Sequence, residues 1–171
     1  MLHPESLNSN APSAIIGELV TDLWRGIVDV GSKPVVAREA EATGVLIISP
    51  ESIDAVSNGQ SPKGDVRGAS TIAAIQAVKE TSRTLPHCHP IPIEGCSVNW
   101  KIEERGLRCS VSVRTHWITG VEMEALNGVS AGLLCAWDML KPIEKDDFGQ
   151  YPNARIDDIR VVRKKKSDPQ D

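Results

Sequence analysis

A stretch of about twenty residues in the last third of the chain constrains the fold more than any other. Between Val121 and Lys141 there is no proline and no pair of adjacent glycines, so this stretch predicts one helix that ends before Pro142. Its middle part, from Ala125 to Ala136, is apolar or small on nearly every face, and a helix of that kind is buried all round. A chain of 171 residues can cover one side of it with a sheet. The opposite side of the helix would then stay exposed, so a second subunit is predicted to cover it.

The charged residues of this helix lie at its two ends. Glu122 and Glu124 open it, whereas Asp138 and Lys141 close it and share one face. Glu124 and Asp138 are 14 residues apart, which places them about 21 Å apart along the axis. No ordinary metabolite spans that distance between carboxylates on one helix. A site that uses both ends therefore requires two antiparallel helices related by a two-fold axis, which predicts a homo-oligomer with sites between subunits.

Composition and charge argue against several classes of protein. The formal net charge of −4 does not suit a dedicated nucleic-acid binder. The basic run 163–166 is typical of a solvated tail, with a clamp for a ligand phosphate as the alternative. The 4 cysteines lack the paired spacing of a zinc site and predict reduced thiols in a cytoplasmic protein. No apolar run predicts a membrane span, and the N-terminus does not resemble a secretion signal.

The remaining pattern predicts the element order β, α, α, β, β, α, β. This is a split β-α-β arrangement, so the expected fold is α+β, with a ferredoxin-like antiparallel sheet and helices packed on one face. In the second helix, Ile72, Ala74, Ile75 and Val78 are expected to face inward. The expected strands are 35–48, 96–103, 107–115 and 155–162, and the expected helices are 49–58, 66–83 and 121–141.

Two loops contain residues that can carry chemistry. His87 and His89 flank Cys88 in a stiff, proline-rich loop, but the pair has no third metal ligand at a diagnostic spacing. Contact between His89 and a substrate is therefore favoured over a metal site. Lys63 lies in a loop that leads into a helix N-terminus, where backbone N–H groups and one ammonium can hold a phosphate.

The charged residues at the two ends of the long helix can have either a structural or a catalytic role. Glu122 and Glu124 suit the positive end of the helix dipole, with or without a further role. Asp138 and Lys141 are either a surface ion pair of small energetic value or a pair that tunes a lysine for acid-base work. Taken singly, none of these groups identifies a reaction.

Six blocks of sequence, taken together and in order, resemble the cyclic pyranopterin monophosphate synthase family, also called MoaC, of molybdenum cofactor biosynthesis. The resemblance extends from residue 27 to about residue 163, and the block that begins at Thr119 is its most specific part. The blocks are V-D-V-G-S-K from Val28, R-E-A from Arg38, K-G-D from Lys63, C-H-P from Cys88, T-G-V-E-M-E-A-L from Thr119 and W-D-M-L-K from Trp137.

The resemblance implies both an assembly and a reaction. The assembly is a dimer-built hexamer of ferredoxin-like subunits with active sites at the dimer interface. The substrate is the cyclised dihydro-GTP made by a radical-SAM GTP cyclase, and a lyase reaction converts it to cyclic pyranopterin monophosphate and pyrophosphate. The resemblance implies no metal site in the protein and no cofactor, and leaves open whether Mg²⁺ accompanies the triphosphate. Residues 27–163 then form a single MoaC-like catalytic domain, between an N-terminal extension of unknown role, 1–26, and a basic and polar tail, 164–171.

Matching positions also imply roles for individual residues. Asp138, Lys141 and Lys63 correspond to catalytic residues. Eight further positions correspond to residues that line the substrate: His87, Cys88, His89, Glu122, Met123, Glu124, Arg38 and Lys79.

The chain departs from the family pattern in its cations. Ile118 and Thr71 replace a lysine and an arginine that the family usually has, and the family's Gly-Gly-Lys-Ser-Gly tail is replaced by residues 164–167. Arg67 and the lysine tail are the candidates to compensate. Two alternatives remain at this point: a metal-dependent hydrolase built on His87/His89 and Glu122/Glu124, and a non-catalytic assembly module.

Overall fold

A computed structural model describes residues 26–167 of the chain. Most of the expected N-terminal extension, residues 1–25, and the last part of the expected tail, residues 168–171, lie outside the described residues. The strands are β1 (Val36–Ile47), β2 (Gly95–Glu103), β3 (Gly106–Trp117) and β4 (Arg155–Lys166), and the helices are α1 (Pro50–Asn58), α2 (Val66–Lys79), α3 (Thr81–Thr84) and α4 (Glu122–Glu144).

The strands form one antiparallel sheet in the order β2-β3-β1-β4. β3 lies between β1 and β2, and β1 lies between β3 and β4, so each strand-helix-strand unit is split by another strand. The predicted α+β, ferredoxin-like fold is thereby confirmed. Because the split units bring the start of α4 next to the proline-rich loop before β2, two distant parts of the sequence meet at one end of the sheet.

The ends of the shorter helices follow from local sequence. The Ser49 side chain caps α1 by accepting a hydrogen bond from the backbone N–H of Ser52, and Gly59 ends the helix with a φ of 66°. Asp65 caps α2 by accepting from the backbone N–H of Gly68 at 3.0 Å. Lys63 lies in the loop between these two helices. The loop backbone is therefore held in position by a capped helix on each side.

The core lies between the sheet and α4. Alternate residues of β3 from Leu107 to Thr115 are buried, as expected for a strand with one covered face. Opposite them, a Cβ atom at Gly44 of β1 would come within 2.9 Å of side-chain atoms of Val129 and Leu133. A glycine is therefore needed at this point for α4 to lie so close to the sheet.

α4 is covered on one side within the subunit. Residues such as Val129, Leu133 and Ala136 are fully buried, whereas Leu134 is 59% exposed and Met123 is 44% exposed. The expectation of burial on every face is thus not met by a single chain. A second subunit as the cover of the open side stays a prediction.

The end of α4 corrects the sequence analysis. The helix continues through Pro142 to Glu144 instead of ending before the proline. Pro142 has no N–H for the carbonyl of Asp138, its partner one turn earlier. That carbonyl accepts a hydrogen bond from Lys63 Nζ at 2.8 Å instead. The lost helical bond is replaced, so the proline is tolerated in the last turn.

Three further boundaries or faces differ from expectation. β4 continues to Lys166, which pairs with Arg38 of β1, so residues 164–166 belong to the sheet and not to a free tail. The second helix ends at Lys79, and the separate turn α3 follows it. Ile72 is 69% exposed and does not face inward, whereas Ala74 and Val78 do. Within residues 26–167, no helix combines the length and the apolar character needed to cross a membrane.

Candidate active site

α4 carries its charged residues at both ends, and each end meets a different loop. Residues 122–124 lie beside the loop with the two histidines, and we call this region the histidine end. Asp138 and Lys141 meet Lys63 from the loop between α1 and α2, and we call this region the lysine end. The two ends lie about 21 Å apart along the helix axis.

A cavity of about 140 Å³ opens at the histidine end. Its walls come from the proline-rich loop before β2, the turn before α4 and the first turn of α4. The lining residues are His87, Cys88, His89, Ile91, Thr119, Gly120, Met123 and Glu124. The fold thus brings together five of the residues that the sequence predicts for substrate contact, from two stretches that are far apart along the chain.

Glu124 is the buried carboxyl group of this cavity. Its residue is 3% exposed, and its Oε2 atom has no hydrogen-bond partner among residues 26–167. Burial raises the pKa of Glu124 to about 7, with a further contribution from Glu122 and an opposing one from a backbone hydrogen bond. Burial likewise raises the pKa of the Cys88 thiol, with the charge of Glu124 adding to it. The cavity therefore contains a carboxyl group that can hold or release a proton near neutral pH, beside a neutral thiol.

Glu122 differs from Glu124 because it has cationic partners. It forms an ion pair with Lys164 of β4. Burial acts to raise the pKa of Glu122, but the Lys164 contact, a backbone hydrogen bond and the charge of Arg38 outweigh it, and the pKa is lowered. The pKa of Glu122 is thus lowered and that of Glu124 is raised, although both residues lie in the first turn of α4.

Arg38 supports the turn that precedes α4. Its Nε donates to the carbonyl of Trp117 at 2.8 Å, and its Nη2 donates to the carbonyl of Ile118 at 3.1 Å. These bonds tie β1 to the end of β3. Arg38 therefore reaches the histidine end through the backbone and through the field that it exerts on Glu122.

Each histidine of the proline-rich loop contacts a backbone carbonyl of the segment before β1. His87 Nδ1 lies 2.9 Å from the oxygen of Gly26, and His89 Nε2 lies 2.8 Å from the oxygen of Val28. Each ring is thus held at one nitrogen while its residue also lines the cavity.

The lysine end is a three-residue ion cluster. Lys63 Nζ donates to Asp138 Oδ2 at 2.8 Å, and Lys141 Nζ lies 2.9 Å from Asp138 Oδ1. The hydrogen bond from Lys63, followed by that from Lys141, lowers the pKa of Asp138 to about 2. In return, Asp138 raises the pKa of Lys141, and Tyr151 adds to that effect. One ionised carboxylate between two ammonium groups leaves a net positive charge that faces solvent.

An aromatic pair borders the lysine end. The ring of Tyr151 meets the ring of Trp137 edge to face, with centroids 6.0 Å apart and an interplanar angle of 89°. Trp137 directly precedes Asp138 in α4. This pair fixes the loop after α4 against the side of the ion cluster.

Lys79 is not one of the residues that line the cavity at the histidine end. It is exposed in the last turn of α2, and its charge opposes the effect of burial on the pKa of Cys96, which is raised. Among the described residues, 26–167, no group of three or more His, Cys, Asp or Glu side chains is placed to hold a metal ion. A hydrolase built on His87 and His89 would need a further ligand from outside the described residues.

Comparison with known proteins shows the family of the chain. Residues 27–167 match the MoaC family. The chain belongs to the MoaC family. A relative from Thermococcus kodakarensis, named probable cyclic pyranopterin monophosphate synthase, is 47% identical over 142 residues, which are 83% of this chain and 91% of the relative.

Two other relatives of this MoaC-family chain cover a similar span. The protein from Pyrococcus abyssi, also named probable cyclic pyranopterin monophosphate synthase, is 45% identical over 155 residues, which are 90% of this chain and 98% of the relative. The protein from Methanothermobacter thermautotrophicus, named probable cyclic pyranopterin monophosphate synthase accessory protein, is 46% identical over 140 residues, which are 82% of this chain and 88% of the relative.

The two positions where this MoaC-family chain lacks an expected cation have other uses. The carbonyl of Ile118 accepts from Arg38, and the Thr71 hydroxyl accepts from Trp100 Nε1 at 2.9 Å. Lys164 supplies a cation at the histidine end, as one of the two candidates from the sequence. The other candidate, Arg67, lines a separate cavity at the start of α2.

Sequence reasoning named the lysine tail as a candidate but did not place Lys164 in a strand, because the last strand was expected to end at residue 162. It missed two other contributors to the MoaC-family site, Tyr151 and a pair of backbone carbonyls. Tyr151 escaped because it lies in a polar loop with no periodic pattern. The carbonyls of Gly26 and Val28 escaped because a backbone acceptor leaves no trace in residue type. Of these contributors, the sequence could have indicated only Lys164, if the last strand had been predicted to continue into the basic run.

Proposed function

We propose that this protein is a cyclic pyranopterin monophosphate synthase. The enzyme is a lyase that converts the cyclised dihydro-GTP to cyclic pyranopterin monophosphate with release of pyrophosphate, an early step of molybdenum cofactor biosynthesis. Membership in the MoaC family supports the reaction. The observation that carries the proposal is the lysine end, where Lys63 and Lys141 hold the ionised Asp138 between them.

The lysine end suits the phosphate part of the reaction. Two ammonium groups against one carboxylate give a local positive charge for a triphosphate, and lysine donors stabilise charge that develops on phosphate oxygens. The reaction opens an imidazole-like ring, forms a pyrazine ring and closes a cyclic phosphate, so protons move at each stage. Asp138 accepts a proton in this scheme, and Lys63 and Lys141 donate hydrogen bonds or protons to oxygens.

The histidine end suits the base part of the substrate. Carboxylates accept from the N–H groups of a guanidine-like edge, and Glu122 is kept ionised for this purpose by Lys164 and Arg38. Glu124 changes its charge near neutral pH, so it can move a proton during ring rearrangement. His89 and Cys88 complete the wall of the cavity.

The separation of the two ends supports a shared active site. One guest cannot meet Glu124 and Asp138 of the same helix at about 21 Å, but it can meet them from two helices that run antiparallel across a two-fold axis. The assembly in this proposal is a dimer-built hexamer with sites at the dimer interface. The open side of α4, with Leu134 59% exposed, is the surface that the partner covers.

The proposal extends to the surroundings of the enzyme. The substrate comes from a radical-SAM GTP cyclase, and the proposal assigns the protein no cofactor of its own, whether or not Mg²⁺ accompanies the triphosphate. The protein works in the cytoplasm, where its 4 free thiols are stable.

The direct test supplies the cyclised dihydro-GTP to the purified protein. We expect equal amounts of pyrophosphate and cyclic pyranopterin monophosphate, detected by a coupled phosphate assay and by mass spectrometry. A protein that binds the substrate but releases no pyrophosphate would not be the synthase.

Variants at the lysine end test the assigned residues. Lys63→Ala and Asp138→Ala should each lower turnover by at least about 100-fold, because proton transfer by a positioned group contributes on that scale. Lys101→Ala and Asp54→Ala are matched controls on exposed residues that belong to neither end, and should turn over normally. Size-exclusion chromatography should show the same oligomer for all four variants. Normal turnover by Lys63→Ala or Asp138→Ala would remove that residue from the mechanism.

A further inference from the structure

Residues 26–33, which we call the N-terminal strap, cross the histidine end as an irregular segment before β1. The strap contains the whole V-D-V-G-S-K block, yet none of its side chains lines the cavity. Its contacts with the site are made by two backbone carbonyls, those of Gly26 and Val28, which lie 2.9 Å and 2.8 Å from ring nitrogens of His87 and His89.

The sequence of the strap fixes the position of these carbonyls. Val30 is 7% exposed and anchors the strap in the core, whereas the Val28 side chain is 72% exposed. The Asp29 side chain accepts a hydrogen bond from the backbone N–H of Gly31 at 2.9 Å, and the N–H of Lys33 donates to the carbonyl of Val30 at 3.0 Å. The buried Val30 side chain and these two hydrogen bonds hold the strap in one backbone conformation.

A carbonyl oxygen can only accept a hydrogen bond, so the ring nitrogen that meets it must carry the hydrogen. For His89 this nitrogen is Nε2, and for His87 it is Nδ1. The other nitrogen of each ring is then the only one that can bind or release a proton. The two histidines of one cavity are thereby held as opposite tautomers.

We propose that the N-terminal strap sets these tautomers, so that proton exchange at the histidine end passes through Nδ1 of His89 and Nε2 of His87. The catalytic part of this inference rests on the proposed function. In the exchange step, Nδ1 of neutral His89 accepts a proton from an N–H or O–H of the guest. The resulting imidazolium keeps its Nε2 hydrogen on the Val28 carbonyl and returns the Nδ1 proton to another atom of the guest. The strap carbonyls are positioning groups, because they touch the histidines and not the reacting atoms.

The tautomers can be read directly by nitrogen NMR of the full chain with ¹⁵N-labelled histidine. At about pH 8.5, where an ordinary imidazole is neutral, we expect His89 to show the Nε2–H pattern and His87 the Nδ1–H pattern. The chain has 4 histidines, so comparison with His87→Gln and His89→Gln assigns the two signals. A His89 signal of the Nδ1–H type, or a His87 signal of the Nε2–H type, would overturn the inference.

A matched pair of variants tests whether the strap is the cause. Val30→Asp puts a carboxylate at the buried anchor, whereas Val35→Asp makes the same change at a residue that is 59% exposed, two positions beyond the end of the strap. We expect Val30→Asp to convert both histidines to exchanging tautomers, with circular dichroism unchanged, and Val35→Asp to keep the native pattern. If a folded Val30→Asp protein keeps the native tautomers, the strap does not set them. If that variant does not fold, the spectrum of the unsubstituted protein still decides the inference.

Activity measurements separate this inference from the proposed function. Val30→Asp should lower kcat by about tenfold or more, since small misplacements of a catalytic group are costly, while Val35→Asp should keep normal kcat. If the unsubstituted protein shows the expected tautomers but releases no pyrophosphate, the proposed function fails and the role of the strap stands. If pyrophosphate is released but the tautomers are reversed, the role of the strap fails alone.

Discussion

Glu124 and Asp138 show how one helix gives two carboxyl groups opposite properties. Glu124 is buried beside a second carboxyl group and has its pKa raised to about 7, whereas Asp138 is exposed between two lysines and has its pKa lowered to about 2. Pairs of this kind mark acid and base roles in enzymes, because each group is held in a different protonation state at neutral pH.

The raised pKa of Glu124 predicts a pH-dependent stability. A carboxyl group whose pKa is higher in the folded state binds an extra proton there, so its contribution is full below the unfolded-state value and is lost as the pH rises through about 7. For this buried group the loss is on the order of 3 kcal/mol. Glu124→Gln should remove that dependence between about pH 4 and pH 8, as measured by urea unfolding at several pH values.

The conservative comparison for this prediction is Glu41→Gln, a partly exposed glutamate on the outer face of β1. It should keep the native slope of unfolding free energy against pH. A Glu124→Gln protein with the same slope as the unsubstituted protein would show that Glu124 ionises normally.

The lowered pKa of Asp138 has the opposite sign. Its stabilising contribution is present above the unfolded-state value of about 4 and is lost as the pH falls through about 2. Carbon NMR of the Asp138 carboxyl should give a titration midpoint near 2, and Lys63→Met should move it toward the usual range because the first cause of the shift is removed. Lys101→Met, at a lysine that is 76% exposed, should leave the midpoint unchanged.

The candidate residues at the two ends of α4 could be named from the sequence, but several of their contacts could not. Lys63 and Asp138 were identified by resemblance, and the structure adds that Lys63 also binds the backbone of Asp138. The contact between Lys164 and Glu122 depends on how far β4 continues along β1. A run of lysines has little strand propensity, so only the pairing with β1 fixes that strand end.

At the scale of elements, α4 shows where local rules and tertiary contacts compete. Pro142 predicts a helix end because it removes the N–H that the carbonyl of Asp138 would accept. The helix continues because Lys63, from the loop after α1, supplies that donor. The proline thereby leaves free the backbone acceptor that Lys63 binds.

A double-mutant cycle tests this link between Pro142 and Lys63. Pro142→Ala restores a backbone N–H for the carbonyl of Asp138, so Lys63→Met should cost less stability in that background. The bond to Asp138 Oδ2 is lost in both backgrounds and cancels. We expect a coupling of about 0.5–1 kcal/mol, the usual net value of one hydrogen bond, measured by urea unfolding at fixed protein concentration.

Lys101→Met supplies the control for this cycle, because Lys101 is exposed on β2 and its ion-pair partner is Glu103, not Asp138. Its effect should be additive with Pro142→Ala. Additive free energies for Lys63→Met as well would show that Lys63 does not replace the missing helical donor.

At the scale of the whole molecule, the sequence predicted the split sheet but not how completely one subunit covers α4. The order of elements and the alternation in β3 were sufficient for the topology. The exposure of α4 depends on tertiary packing: α2 and the sheet leave Leu134 uncovered, and Ile72 of α2 points outward. Apolar composition alone does not distinguish a residue covered by its own chain from one that awaits a partner.

Mixing two inactive variants tests whether subunits share a site. Glu124→Gln damages the histidine end, and Asp138→Asn damages the lysine end. Each variant alone should be inactive, because every site then has one damaged half. If each site takes one end from each of two subunits, a mixed dimer has one site with both defects and one site with none. Random exchange of equal amounts should therefore restore about a quarter of the normal turnover.

The control mixes Asp138→Asn with Lys63→Ala, two variants that damage the same end. Every site in that mixture keeps a damaged lysine end, so turnover should stay absent. Subunit exchange is verified by mass spectrometry of variants that carry different isotope labels. If exchange is complete and the first mixture stays as inactive as the control, both ends do not serve one intersubunit site. The distance of about 21 Å along α4 would then require a separate function for each end.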